Sequence, residues 1–176
     1  MHGSFKHHHH FDRLDKNVIV DDTAQVIISD RLDEALLAEV RQGRHALLWQ
    51  ATHDDRFTRS LPFWREAIHI FPNHVLWTRL PHPQYADMRF FSVASDVAID
   101  LNRLSVLIGA ECESVWRRFD ARQMFWSEYI VEAKIGAGRL IVSTLKHEGG
   151  LGCQPETFET NPMGSFLLAS LLAMLK

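Results

Sequence analysis

Two polar runs carry residue types that can move protons or hold ligands: His53-Asp54-Asp55 and His147-Glu148. Each follows an apolar run that reads as a strand, Ala46-Leu47-Leu48-Trp49 before the first and Arg139 to Thr144 before the second. If the two strands are neighbours, both runs leave the carboxyl edge of one sheet, where open α/β sheets place their ligands. His53, Asp54, Asp55, His147 and Glu148 would then line a single pocket able to hold a polar ligand or a metal ion. The plainer reading of each run is a solvated loop, and neither a resident metal nor a cofactor is expected.

Nucleophiles are scarce. Cys112 and Cys153 form no C-x-x-C and no framework of spacings, so neither a structural zinc site nor a disulfide scaffold is indicated. Cys112 stands between Glu111 and Glu113, whose charges raise a thiol pKa, and Cys153 lies in a loop before Pro155. Adjacent residues such as His147 and Glu148 point apart. Catalytic residues are therefore expected to be none, with Cys112, His147 and Glu148 the remaining candidates. Five tryptophans offer indole faces that suit a pyranose ring. Trp49 closes an apolar strand and reads as core, whereas Trp64, Trp116 and Trp126 would face a sugar or a neighbouring domain. Trp64 joins His53, Asp54 and Asp55 as a ligand-binding candidate.

These residues sit in a chain of ordinary globular make-up. Its 176 residues are 46% hydrophobic and 23% charged, which suits one domain with an adequate core. A net charge of -3 gives no basic footprint for nucleic acid. The longest apolar run, Phe166 to Leu175, is far short of the ~20 residues that cross a bilayer. Met1 to Asp15 lacks the apolar core of a signal peptide, and a cytoplasmic setting is expected. Residues 1–16, with His7 to His10, read as a disordered or tag-like tail, and 17–176 as the folded domain.

Several elements must position the candidates. Val26-Ile27-Ile28 is a β-branched strand, followed by a helix capped at Ser29 or Asp30 with Leu32, Ala35, Leu36 and Val40 on one face. Gly43 ends it, and His45 to Trp49 returns as strand, which makes a parallel βαβ unit. A short helix is expected from Leu61 towards Phe71, strands at Val75 to Thr78 and Leu104 to Ile108, and an edge strand over Ser114 to Phe119. Gly136-Ala137-Gly138 closes an antiparallel hairpin between Tyr129 to Ile135 and Arg139 to Thr144. Glu132 and Lys134 mark a wet face on the first strand, and unbroken Leu140-Ile141-Val142 predicts a second strand covered on both sides. Asn161 and Pro162 start a deeply packed last helix. Together these imply an α/β layer architecture with a mostly parallel sheet.

Glu132-Ala133-Lys134, Gly136, Gly138 to Ser143, Asn161-Pro162 and Leu167 to Leu172 resemble the C-terminal end of glycoside hydrolase family 2 proteins of the β-galactosidase type. Phe63-Trp64, His82-Pro83 and Phe90 to Leu101 are similar in order and spacing, so the resemblance runs from about Val26 to the C-terminus. It implies a three-layer, flavodoxin-like, class I glutamine amidotransferase-like domain that follows a catalytic barrel. Such domains are usually non-catalytic, and the carboxylate pair that hydrolyses the sugar belongs to the barrel. Related amidotransferases place a cysteine on a glycine-flanked elbow and keep a His and a carboxylate late in the chain. Cys112 lacks the following glycine. The expected function is thus a non-catalytic accessory domain that packs against a glycoside hydrolase module or another copy of itself. The alternatives are a small stand-alone hydrolase or amidotransferase relative using Cys112 or His147-Glu148, and a carbohydrate-binding module using exposed tryptophans.

Overall fold

The computed structural model describes residues 12–14, 18–21, 26–65, 67–148 and 160–176, the first two segments as backbone only. In chain order the elements are β1 (Asp12–Leu14), β2 (Val18–Asp21), β3 (Val26–Ser29), α1 (Glu34–Arg41), β4 (His45–Trp49), β5 (Thr58–Ser60) and β6 (Ala67–Ile70). Two 3₁₀ helices follow, Val75–Arg79 and Met88–Val93, and then β7 (Val97–Ile99), α2 (Leu101–Ile108), β8 (Cys112–Asp120), β9 (Phe125–Ile135), β10 (Gly138–Ser143) and α3 (Pro162–Met174). β1 pairs with β2, so strand structure enters the segment expected as tail, whereas His7 to His10 lie outside the described residues.

All ten strands among the described residues belong to one sheet, with β1-β2-β3-β4-β10-β9-β7-β5 along one path and β8 and β6 continuing from β9. This corrects the flavodoxin-like, mostly parallel expectation. Among the described residues only β3 with β4 and β4 with β10 run parallel, and the other seven pairings are antiparallel. The physical reason is connection length. One strand-helix-strand crossover, β3-α1-β4, has room to return the chain parallel, whereas β8-β9-β10 are joined by turns too short for anything but antiparallel pairing.

Local chemistry accounts for the elements. α1 is capped by Asp33, whose side chain accepts the Leu36 N–H, so the cap falls a few residues later than the Ser29 or Asp30 expected. Asn161 accepts the Gly164 N–H and Pro162 takes the first helical position of α3, as its sequence predicts. The apolar run 104–108 is helical, not extended. Asp100 caps α2, Gly109 closes it in the left-handed region, and Leu104 and Ile108 share its buried side. The expected helix over 61–71 is replaced by a loop leading into β6, and the expected strand at Val75 is a 3₁₀ turn capped by His74.

Apolar side chains divide between the two faces of the sheet. Leu36, Leu37 and Val40 of α1 and Leu104 and Ile108 of α2 pack on Val131, Ala133, Leu140 and Val142. On the opposite face Leu167, Leu171 and Leu175 join Leu47, Ile141, Ile130 and an aromatic group of Phe63, Phe71, Trp77, Phe90, Trp116 and Tyr129. The run Leu140-Ile141-Val142 is covered from both sides, as its lack of alternation predicts. β8 is an interior strand between β6 and β9, not an edge. Register shifts flank Trp116, so neighbouring Val115 and Trp116 are both fully buried on the same side, which hides its pattern from a period-two reading.

Candidate functional site

β4 and β10 are parallel neighbours, with Trp49 opposite Ser143, so the polar runs that follow them do leave one sheet edge together. The side chains nevertheless go separate ways. His53 Nδ1 lies 2.7 Å from Thr58 Oγ1, and its Nε2 lies 2.8 Å from the carboxylate of solvent-facing Asp55. Asp54 accepts from Arg56 Nε at 3.0 Å and Nη2 at 2.7 Å, and these bonds hold its carboxyl below the usual range. Arg56 also donates to the Leu32 carbonyl, so the loop is stapled towards α1. His147 turns inward and Glu148 faces solvent. The structure therefore does not assemble these five residues into one pocket. Among the described residues no group of three or more His, Cys, Asp or Glu is placed to hold a metal.

The inward-facing His147 has a partner that sequence reasoning missed. Ser143 Oγ, at the end of β10, lies 2.8 Å from His147 Nε2. The imidazole Nδ1 faces the Gly164 carbonyl in α3 at 3.3 Å, which places the ring proton on Nδ1 and lets Ser143 donate to Nε2. Nucleophile, base and orienting acceptor thus stand in the order an activated serine requires. Both side chains are fully buried, however. Trp49 lies edge-on 5.3 Å from the imidazole and ties itself to the Leu145 carbonyl at 3.0 Å. Asn161 braces the same corner by donating to the carbonyls of Ser92 and Lys146. Burial pushes His147 down to about 4, so the ring is neutral, and neither side chain is open to solvent. The legible signal was a hydroxyl residue ending a buried strand one turn before a histidine.

Cys112 is half-buried on β8, and burial pushes its thiol up, the reverse of activation. Cys153 lies outside the described residues. Trp64 is half-buried, stacked parallel to Phe91 at 6.2 Å and tilted against His69 at 5.2 Å. Trp77 and Trp116 are core residues, the latter donating to His69 Nδ1 while His69 Nε2 donates to the Phe63 carbonyl.

Trp126 is the exception among the tryptophans. Register sets Ile68 of β6 opposite Phe119 of β8, and Phe119 opposite Trp126 of β9, so the three form one row across the sheet. Phe119 and Trp126 rings meet at 4.8 Å. The ends of the row stay open, Ile68 at 54% and Trp126 at 47% exposure, with Met124 of the adjoining turn at 74%. Arg117, in the next row on the same face, lays its guanidinium 4.7 Å from the Trp126 ring centre and also holds Glu128 at 3.2 Å. Ser114 donates to the other oxygen of Glu128. Burial raises that carboxyl to about 7.

Comparison with protein-family models finds no match to this chain, and comparison with curated proteins finds none either.

Proposed function

We propose that this chain is a non-catalytic accessory domain that packs the Ile68-Phe119-Trp126 face of its sheet against a catalytic module. The observation that carries this reading is the row itself: three large apolar side chains in register, open to solvent at both ends and extended by Met124. Arg117, paired with Glu128, stands at its border, so the complementary surface is chiefly apolar. That the module is a glycoside hydrolase rests on the sequence resemblance alone. A cytoplasmic setting agrees with a free thiol at Cys112.

The other two readings have less support. A stand-alone hydrolase would need Ser143 or Cys112 to reach substrate, and the first is sealed while the second is held protonated. A sugar platform at Trp126 would need a bare indole face, and Arg117 and Phe119 both crowd that ring.

Light scattering of the chain mixed with a β-galactosidase-type catalytic module tests the proposal. A complex should form, and Ile68→Ser with Trp126→Ser should abolish it while far-UV circular dichroism shows the variant still folded. No complex with the hydrolase, or one indifferent to both substitutions, contradicts it.

A further inference from the structure

Away from that face, a cavity of about 230 Å³ opens between the 3₁₀ helix Val75–Arg79 and the last turns of α3. Arg79, Arg139 and Ser170 line it, with Val75, Ala173 and Met174 as apolar wall. We propose that this cavity binds a small organic oxyanion, a carboxylate or phosphate on a short apolar body, between the guanidinium groups of Arg79 and Arg139.

The argument begins with how firmly Arg139 is held. Its Nε and Nη2 donate to Glu132 Oε1, and its Nη1 donates to the Met174 carbonyl. Glu132 is fixed in turn by His74 at 3.2 Å, and His74 Nδ1 accepts the Leu76 N–H. Because Nδ1 is an acceptor, the ring proton sits on Nε2 and is given to Glu132. A chain of bonds from Leu76 to Met174 thus locks one arginine at the cavity wall. Such outer partners are how proteins fix a binding group in advance. The bond from His74, followed by that from Arg139, holds the Glu132 carboxyl below its ordinary range, so it is ionised. Three of the five guanidinium N–H groups of Arg139 are used in this chain, and two remain.

Arg79 contrasts with this. Its side chain is exposed and pairs with no described acceptor, although most other arginines of the chain do pair. Two guanidinium groups against one carboxylate leave one net positive charge at the cavity. The C-terminal end of α3 opposes an anion, but Arg139 already caps the Met174 carbonyl, and a helix-end charge is worth less than a charge-assisted hydrogen bond. The forked donors of arginine suit carboxylate and phosphate alike, and the size of the space admits only a small body.

Titration of the intact chain with inorganic phosphate and, separately, propionate, followed by amide chemical shifts of residues 75–79 and 170–174, tests this. Saturable shifts with either probe, absent with sodium chloride at equal ionic strength, are expected. Phosphate alone or propionate alone would identify which oxyanion the site takes, each supporting the proposal. Arg79→Ala, which removes no bond that the fold uses, should weaken binding about tenfold or more, and Arg79→Lys should fall between. Shifts reproduced by chloride, no saturation with either probe, or equal affinity in Arg79→Ala would overturn it.

Discussion

Gly138, the first residue of β10, lies directly against Val40 of α1: a Cβ built on the glycine would sit 2.2 Å from the Val40 carbonyl oxygen and 2.2 Å from that of Arg44. Backbone meets backbone there, so the β9-β10 hairpin docks under the end of α1 only because position 138 has no side chain. Gly138→Ala should therefore destabilise the chain by about 3 kcal/mol or more, since neither carbonyl can step aside. Gly109 is the control. It has open space around its Cβ position and a φ of 68°, so Gly109→Ala should cost only about 1 kcal/mol of backbone strain. Urea midpoints of the two variants check the contrast.

Acid should unfold this protein through histidines. Burial lowers His69 and His147 to about 4, against 6.5 when unfolded. The unfolded chain binds more protons between those values, so stability is lost as pH falls from about 6.5 to 4, on the order of 3 kcal/mol for each ring. Denaturant midpoints measured across that window should fall steadily towards acid.

Glu128 works in the opposite sense. Its carboxyl is raised to about 7 from 4.5, so the folded state binds the extra proton and stability declines as pH rises from about 4.5 to 7. Glu128→Gln cannot titrate. The stability of the wild-type chain relative to this variant should drop across the same window, and a pH-independent difference would show that the side chain is not buried beside Ser114 and Arg117 as described.

Helix α3 should be required for folding through Leu167 and Leu171, both fully buried against the aromatic face of the sheet. Leu171→Ala should cost about 2–5 kcal/mol. Phe166 is only partly buried, so Phe166→Ala should cost less than Leu171→Ala; thermal melts of the two rank them.

Where local rules and tertiary contacts agreed, the sequence was legible. Val26 to Trp49 read as strand, helix, strand because apolar spacing and Gly43 pointed one way, although Asp33 and not Ser29 or Asp30 is the cap. The Gly136 hairpin and the Asn161-Pro162 helix start were legible because their local chemistry agreed with the packing. Leu104 to Ile108 was misread because five residues rich in aliphatics fit strand and helix equally, and only Asp100 and Gly109 at its ends mark the helix. β8 hid behind its bulges. The Leu76-to-Met174 chain of bonds joins residues far apart in sequence, with no spacing rule to connect them. The sealed Ser143-His147 pair was legible only as a serine at the end of a buried strand with a histidine shortly after it. The parallel expectation failed because one clear βαβ unit was extended to a sheet whose remaining strands are turn-connected.

The central claim is that the fold encloses the Ser143-His147 pair and keeps it from reagents in solution. Intact-mass analysis of the native chain after exposure to a fluorophosphonate measures this at Ser143, the serine with a histidine 2.8 Å away. No adduct at Ser143 is predicted under native conditions. A stoichiometric Ser143 adduct that disappears in His147→Gln would contradict the account and identify a working nucleophile.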